Sequence, residues 1–276
     1  MKKSKYSLPV LDIIVGEPQK NRLIFFERVF VLKILLEVAY DGFNYHGLQR
    51  QDNAITIQQK IEDALFKIYN EEITLTLASR TDSQVHALGQ RVSFDADDII
   101  IPCERLHQVI NRYLPDDIVC IKAEIVPDDF HPRYDAKSKL YNYKILNTPF
   151  PIPQYRNYMH FYPYQLDFSK MCEACNYFLG THDFVAFSAK GSSVISTTRT
   201  IYTMEMKKEN DNIISVDISG DGFLYNMVRI MIGTLLDVGR GKKNPEDIEK
   251  IILSKDRTNA GRTAKPYGLT LIKIFY

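Results

Sequence analysis

One short segment of the chain concentrates side chains that can do chemistry. Arg80, Asp82 and His86 follow one another between two stretches that resemble β-strands, 73–77 and 90–94. Catalytic side chains are often carried on loops that rigid strands hold in place. An arginine two residues from an aspartate can keep the carboxylate ionised and orient it, as a carboxylate nucleophile requires. The same residue types also fit a turn in which the aspartate bonds its own backbone and the arginine is solvated.

Seven ordered segments of the chain resemble the tRNA pseudouridine synthase A family. These segments are Tyr40–Gln51, Arg80–Ala87, Pro127–Arg133, Lys139–Ile145, Gly180–Phe184, Gly222–Arg229 and Thr263–Leu269. They extend over roughly residues 33–276, and none of them alone is needed for the resemblance. The resemblance implies an isomerase that converts uridine to pseudouridine in the anticodon stem-loop of tRNA, at positions 38–40.

The chemistry of the family assigns roles to three residues. Pseudouridine formation breaks the glycosidic bond of uridine, turns the base over and rejoins it through carbon, so neither a metal nor an organic cofactor is implied. By resemblance Asp82 is the catalytic carboxylate and Arg80 is its cationic partner. Tyr141 would stack on the flipped uracil and place its hydroxyl for proton transfer. The resemblance leaves open whether Asp82 adds to ribose C1′, adds to the base or drives elimination through a glycal.

Further residues are expected to bind the substrate, and they are Arg229, Phe223, Leu269, Leu271, His86 and Gln84. Arg229 lies among apolar residues, so it either pairs with an acid in the cleft or extends to the surface. His86 either contacts RNA or stabilises its loop through backbone bonds. Tyr143 shares a strand face with Tyr141, and two core tyrosines remain the alternative.

The chain departs from the family pattern around Asp82. Ser79 stands where the family usually has glycine, and Ser83-Gln84 replaces an Ala-Gly pair. A glutamine with a positive φ costs about 1 kcal/mol relative to glycine. The loop therefore either takes another conformation or lets the side chain of Gln84 meet RNA. These departures favour a diverged paralog with an altered set of target uridines.

Hydrophobic periodicity predicts an α+β fold. A β-α-β-β-α-β order over residues 33–134 indicates a ferredoxin-like unit, and a similar order recurs over 135–276. The predicted helices are Thr56–Ile68, Cys103–Leu114, Phe168–Leu179, Phe223–Val238 and Pro245–Ser254. The resemblance joins the two halves in one continuous antiparallel sheet, with helices on one face and a basic cleft between the halves. Residues 1–32 form an N-terminal extension outside the resemblance.

Composition limits the partners and the location. The formal net charge is only +1, whereas residues 222–265 carry nine basic and five acidic side chains, a local excess of +4. Phosphate binding depends on where charge lies rather than on its total. No stretch reads as a signal peptide or a membrane span, so we expect a cytoplasmic protein. By resemblance its partner is tRNA and it is a homodimer.

Two other classes of function remain open. The first is an RNA chaperone of the same fold with weak catalysis. The second is a metal-dependent hydrolase that uses Asp41, Asp82 and His86, although an Asp-x-x-x-His spacing is weak ligand geometry. Cys172 and Cys175 have a C-x-x-C spacing, but within a helical stretch they are better explained as two buried thiols than as metal ligands.

Overall fold

The computed structural model describes residues 32–96, 100–189, 191 and 195–276. Apart from Leu32, the predicted N-terminal extension lies outside the described residues. Within these ranges no helix combines the length and the apolar character needed to span a membrane.

Each predicted helix and strand is present, with shifted bounds, and two short strands are added. In the described ranges the strands are β1 (Leu32–Tyr40), β2 (Thr76–Leu77), β3 (His86–Ala96), β4 (Ile118–Val126), β5 (Ser138–Leu146), β6 (His160–Phe161), β7 (Gly180–Asp183), β8 (Thr198–Asn210), β9 (Ile213–Gly220) and β10 (Leu269–Phe275). The α-helices are α1 (Ile57–Tyr69), α2 (Cys103–Ile110), α3 (Phe168–Asn176), α4 (Met227–Gly239) and α5 (Asp247–Ser254). The added strands are β6 and β7.

The strands of the described ranges form one sheet in which the strand order repeats. The order is β4-β1-β3-β10-β5-β9-β8-β7, with β2 paired to β3 and β6 paired to β5. The first half therefore runs β4-β1-β3-β2. The second half runs β10-β5-β9-β8. If the strands of each half are counted in chain order, leaving out the short β6 and β7, both halves have the spatial order fourth, first, third, second. The fold class is confirmed as α+β, and the duplication expected from the order of elements recurs in the order of strands.

The join between the halves corrects the expected antiparallel sheet. β10 pairs with β3 in parallel, through Thr270 with His86 and Leu271 with Ala87. Each strand takes its direction from an antiparallel partner in its own half, β3 from β1 and β10 from β5. The remaining edge of β3 is divided, because β2 pairs with Val92 and Ser93 farther along it. The short β2 thereby leaves room for β10.

Local signals position α1 as expected. The side chain of Thr56 accepts a hydrogen bond from the backbone N of Gln59 at 3.3 Å, which caps the first turn. Ile57, Ile61 and Leu65 are buried on one face of the helix. This face packs into the core of the first half.

α4 begins four residues later than predicted. Asn226 has a φ of 61°, in the left-handed region, and a right-handed helix cannot include that conformation. Eleven of the thirteen residues of α4 are buried, so it is a core helix rather than a surface one. Arg229 is an exception to this burial, and its position in the first turn places a cation near the start of the helix.

The predicted pair of buried thiols is only half right. Cys175 is buried, and burial raises its thiol pKa to about 12. Cys172 is half-buried because its position in α3 turns it partly outward. Neither thiol is in a disulfide.

The loop that follows α5 packs directly onto the backbone of α4. A Cβ on Gly233 would begin 1.6 Å from the carbonyl oxygen of Arg262. The backbone N of Gly261 donates to Oγ1 of Thr234 at 2.9 Å, and that of Ala264 donates to the carbonyl of Arg229 at 3.0 Å. Gly233 thus allows a close approach that fixes this loop against the first turns of α4.

Replacing this glycine should separate the two backbones. We expect Gly233→Ala to lower the free energy of unfolding by about 3 kcal/mol or more, since the methyl group meets backbone rather than a movable side chain. Gly241→Ala is the control: its φ of 70° is strained for alanine, yet nothing lies within 4 Å. Gly241→Ala should lower the free energy of unfolding by only about 1 kcal/mol. Denaturant titration of both variants measures the difference, and equal losses would contradict the packing described here.

Candidate active site

The loop that carries Asp82 is held by backbone and side-chain bonds to the first half. The hydroxyls of Tyr40 and Thr81 are 2.7 Å apart, and both residues are buried. The backbone N of Leu48 donates to the carbonyl of Thr81 at 3.1 Å. Gly47 has a φ of 94°, and a Cβ there would lie 2.9 Å from the same carbonyl. The backbone N of Gln84 donates to the carbonyl of Tyr45, so the loop is fixed on both sides of Asp82 before any substrate binds.

Asp82 forms an ion pair with Arg229. Oδ2 of Asp82 accepts from Nη1 of Arg229 at 2.9 Å, with side-chain exposures of 24% and 15%. Nε of Arg229 donates to the carbonyl of Ala264 at 2.9 Å, and Nη1 also donates to Oδ1 of Asn226. The guanidinium is thereby oriented from three directions. Charge-assisted bonds of this kind are among the strongest in proteins.

The expected partner of Asp82 is wrong. Arg80 is exposed and forms no ion pair with the described residues. Its side chain leaves the loop toward solvent, whereas the carboxylate two residues later turns toward α4. Proximity in sequence therefore predicted the wrong cation, and in the structure the ion-pair partner of Asp82 is Arg229.

Tyr141 contacts the start of the same loop. Its hydroxyl lies 3.2 Å from Oγ of Ser79, and its ring packs edge-on against Phe223 with centroids 5.1 Å apart. Burial raises the pKa of Tyr141 to about 12; the hydrogen bond to Ser79 opposes that rise and the Asp82 charge adds to it. The phenol is therefore protonated at neutral pH. The serine that replaces the family's glycine supplies its hydrogen-bond partner.

The structure separates the roles of the two tyrosines in β5. Tyr141 and Tyr143 share one face of the strand, as predicted. Tyr143 is fully buried and donates to the carbonyl of Lys265 at 2.8 Å. Tyr141 instead contacts the loop of Asp82 through Ser79. This contact favours Tyr141 as the functional tyrosine.

The two leucines of β10 differ in access. Leu271 pairs with Tyr141 across the sheet and is fully buried. Leu269 pairs with Tyr143 and is 6% exposed. The expected contact with the base stays a prediction for Leu269, Leu271 and Phe223.

His86 lies on the other side of the sheet. It pairs with Thr270, one residue before the pair formed by Leu271, and successive side chains of a strand point to opposite faces. Its Nδ1 accepts from the backbone N of Gly42 at 3.1 Å, and Nε2 lies 2.8 Å from the carbonyl of Asn157. His86 therefore makes the backbone bonds of the second alternative and lies on the face opposite Leu271 and Tyr141, while its contact with RNA stays a prediction.

The glutamine near Asp82 keeps the conformation that favours glycine. Gln84 has a φ of 66°, so the alternative of a different loop conformation is wrong. Its backbone N donates to the carbonyl of Tyr45 at 3.2 Å. The side chain is half-exposed, which leaves contact with RNA open as a prediction.

The residues of the alternative hydrolase site do not assemble as metal ligands. His86 and Asp41 are 3.1 Å apart, but Asp82 is paired with Arg229 on the opposite face. Among residues 32–96, 100–189, 191 and 195–276, no group of three or more His, Cys, Asp or Glu is arranged to hold an ion.

Sequence reasoning missed two residues that the structure brings to the site. Asn226 orients Arg229; it lies inside the predicted helix Phe223–Val238, and its signal is that asparagine adopts the left-handed conformation more readily than most residues. Lys139 donates from Nζ to the carbonyl of Ala78 at 3.0 Å and so ties β5 to the loop of Asp82. Its signal is the two-residue spacing from Tyr141, which places both on one strand face.

Comparisons with known proteins match tRNA pseudouridine synthases, and they do so over most of the chain. A family model described as tRNA pseudouridine synthase matches residues 37–135 and 174–276. A tRNA pseudouridine synthase A of Thermoanaerobacter sp. (strain X514) is 49% identical over 243 residues, which cover 88% of this chain and 99% of that protein. A protein of the same name from Ruminiclostridium cellulolyticum is 48% identical over 244 residues, with coverages of 88% and 99%. The tRNA pseudouridine synthase A 2 of Clostridium tetani is 46% identical over 245 residues, covering 88% and 98%.

The matched ranges contain both members of the ion pair. Asp82 lies in the first range and Arg229 in the second, so the similarity spans the two halves that meet at the site. The relatives are matched over almost their whole length. On these grounds, the chain belongs to the tRNA pseudouridine synthase family.

Proposed function

We propose that this chain isomerises uridine to pseudouridine in the anticodon stem-loop of tRNA, at positions 38–40, with Asp82 as the catalytic carboxylate. Family membership supports the reaction and the class of substrate. The observation that carries the proposal is the Asp82–Arg229 ion pair next to Tyr141. A carboxylate held by a cation beside an aromatic ring can act on a nucleotide whose base stacks on that ring.

The reaction exchanges one bond at C1′ of the ribose. The bond from C1′ to N1 of uracil breaks and a bond from C1′ to C5 forms, while C5 loses a proton and N1 gains one. No oxidant or second substrate enters this balance. Within the described residues, Oδ1 of Asp82 accepts no hydrogen bond, whereas Oδ2 is held by Arg229. Oδ1 is therefore the oxygen that faces the substrate.

Tyr141 and Arg80 have different roles in the proposed reaction. The ring of Tyr141, packed against Phe223, forms one wall on which the freed uracil stacks. Its hydroxyl carries a proton at neutral pH and stays hydrogen-bonded to Ser79 until it takes part in proton transfer. Arg80 is exposed beside the site, where a guanidinium contacts a phosphate or fills the space left by the extruded nucleotide.

The enzyme is further proposed to be a cytoplasmic homodimer, as the family resemblance implies. Sedimentation analysis of the purified chain tests the assembly. The RNA-chaperone alternative explains the fold but not the site, because binding alone does not require a carboxylate held at 2.9 Å by a partly buried arginine.

The first test removes the charge of the proposed catalytic residue. Asp82→Asn should reduce the rate of pseudouridine formation on the order of 10⁴-fold, since an amide cannot serve as nucleophile or base. Binding of tRNA should change little, because affinity comes mainly from phosphate contacts and shape. Tritium release from C5-labelled uridine in tRNA measures the rate, and filter binding measures affinity. A variant that kept more than a few per cent of the wild-type rate would refute the assignment.

The second test separates the two arginines. Arg229→Lys should lower kcat about 10- to 100-fold, because one ammonium group cannot bond Asp82 and Ala264 together and a charged hydrogen bond contributes about 1.5–3 kcal/mol. Asn226→Gly keeps the left-handed backbone but removes the amide that orients Arg229, so it should lower kcat by a smaller factor.

Arg80→Lys is the matched control for this pair. It preserves charge at an exposed site, so it should retain most of the turnover and show any effect in tRNA affinity. If Arg80→Lys and Arg229→Lys reduced kcat equally, the ion pair described here would not be the one that matters for catalysis.

The third test concerns the choice of uridine. Gln84→Gly removes a side chain next to Asp82 and relieves a strain of about 1 kcal/mol, because Gln84 already has a positive φ. The loop conformation should persist, so any effect reports the side chain itself. We expect a changed ratio of modification among uridines, measured by mapping pseudouridine across total tRNA. An unchanged profile with higher stability would show that Gln84 is a drifted loop residue without a role in specificity.

A further inference from the structure

Three cationic side chains lie together beside Tyr141. Lys139 precedes Tyr141 by two residues in β5, so both side chains point to the same face of the sheet. Burial, together with the charges of Arg133 and Arg199, lowers the pKa of Lys139 to about 8. The sheet places Arg199 on the same face: Lys139 pairs with Gly220, Gly220 pairs with Ile201, and Arg199 lies two residues before Ile201 in β8.

The described residues do not neutralise any of these three charges. Nζ of Lys139 donates to the carbonyl of Ala78, and Arg199 donates to two backbone carbonyls of its own segment. Arg133 lies over the ring of Tyr134, 5.8 Å from its centroid. Carbonyls and rings orient a cation but do not cancel its charge. Cations gathered in this way repel one another until an anion binds between them.

The cluster borders the place proposed for the uridine. The ring of Phe223 packs on Tyr141, and a side chain at the preceding Gly222 would begin only 3.4 Å from Nε of Arg199. A base stacked on Tyr141 would carry its flanking phosphates toward this rim. Backbone phosphates are the anions that accompany every flipped nucleotide.

We propose that Arg133, Lys139 and Arg199 form a binding site for a phosphodiester of the tRNA backbone next to the target uridine. The site rests on the proposed function, since the phosphate is that of the substrate. Lys139 has a second part in this arrangement, because its bond to Ala78 joins the bound phosphate to the loop that carries Asp82.

The test compares the salt dependence of tRNA binding. The probe is an unmodified tRNA transcript, titrated at about 50–200 mM salt against wild type, Lys139→Gln and Arg199→Gln. Each variant should bind several-fold more weakly, and the slope of log K against log salt should fall by about 1. Lys207→Gln is the control, because Lys207 is exposed and already paired with Asp217 at 3.0 Å. It should leave affinity and slope unchanged.

Binding should also depend on pH through Lys139. A phosphate favours the charged form of Lys139, so the wild-type chain takes up a proton on binding and its affinity should fall between about pH 7 and pH 9. The groups that face Lys139 are the guanidiniums of Arg133 and Arg199 and the phenol of Tyr141, whose pKa of about 12 lies above this window. Lys139→Arg keeps the charge at all these values and should flatten the profile.

The outcomes separate this site from the proposed function. If Lys139→Gln lowered kcat but kept the wild-type salt slope, Lys139 would act only by holding Ala78, and the phosphate site would be refuted. Among the described residues Arg199 donates to carbonyls of its own segment and not to the loop of Asp82, so an Arg199→Gln variant that also kept the wild-type salt slope would refute the phosphate site independently of any effect on that loop. A wild-type chain that bound tRNA with the expected slope but formed no pseudouridine would instead refute the proposed function.

Discussion

The ion pair between Asp82 and Arg229 connects the two halves of the molecule. Asp82 is held by the first half, through the loop bonded to Tyr40 and Leu48, whereas Arg229 belongs to the first turn of α4 in the second half. In the part of the chain that the structure describes, the sheet joins the halves through two residue pairs between β3 and β10. The relative position of the Asp82 carboxylate and the Arg229 guanidinium therefore depends on how α4 packs, and Gly233 allows the close packing of the 261–264 loop against this helix.

The pair lies at an intermediate depth, and that depth suits catalysis. A fully buried pair pays a large desolvation penalty, whereas an exposed one is worth less than about 1 kcal/mol. At 15% and 24% exposure the two side chains are partly dry and still reachable by a nucleotide. Arg229 donates to Ala264 and Asn226 as well as to Asp82, so the guanidinium is fixed before substrate arrives. A lysine has no planar group with which to make these bonds together.

Sequence patterns could identify the elements and most of the site, but not its pairing. Periodicity located α1 and the strands because burial in this fold follows the local pattern, and the resemblance brought Asp82, Tyr141 and Arg229 to one region. Proximity in sequence gave wrong predictions where the direction of a side chain decides which residues meet. Arg80 is two residues from Asp82 yet turns outward, while the actual partner is 147 residues away. His86 is four residues from Asp82, but strand alternation sends it to the other face. The parallel join of β3 and β10 depends on which edge remains free, which no local pattern reports.

The departures around Asp82 indicate what fixes the loop. Gln84 adopts a φ of 66° without the freedom of glycine, and such strain persists only where the surroundings over-determine the backbone. Two contacts provide these surroundings. The carbonyl of Tyr45 accepts a hydrogen bond from the backbone N of Gln84, and the backbone of Gly47 packs closely against the carbonyl of Thr81. Because the first half imposes the loop's shape, the residues within it are free to vary. Ser79 uses that freedom to bond Tyr141, which adds a second side-chain contact between this loop and the second half of the chain. Variation in this loop therefore changes the side chains around Asp82 while the position of its carboxylate stays constant.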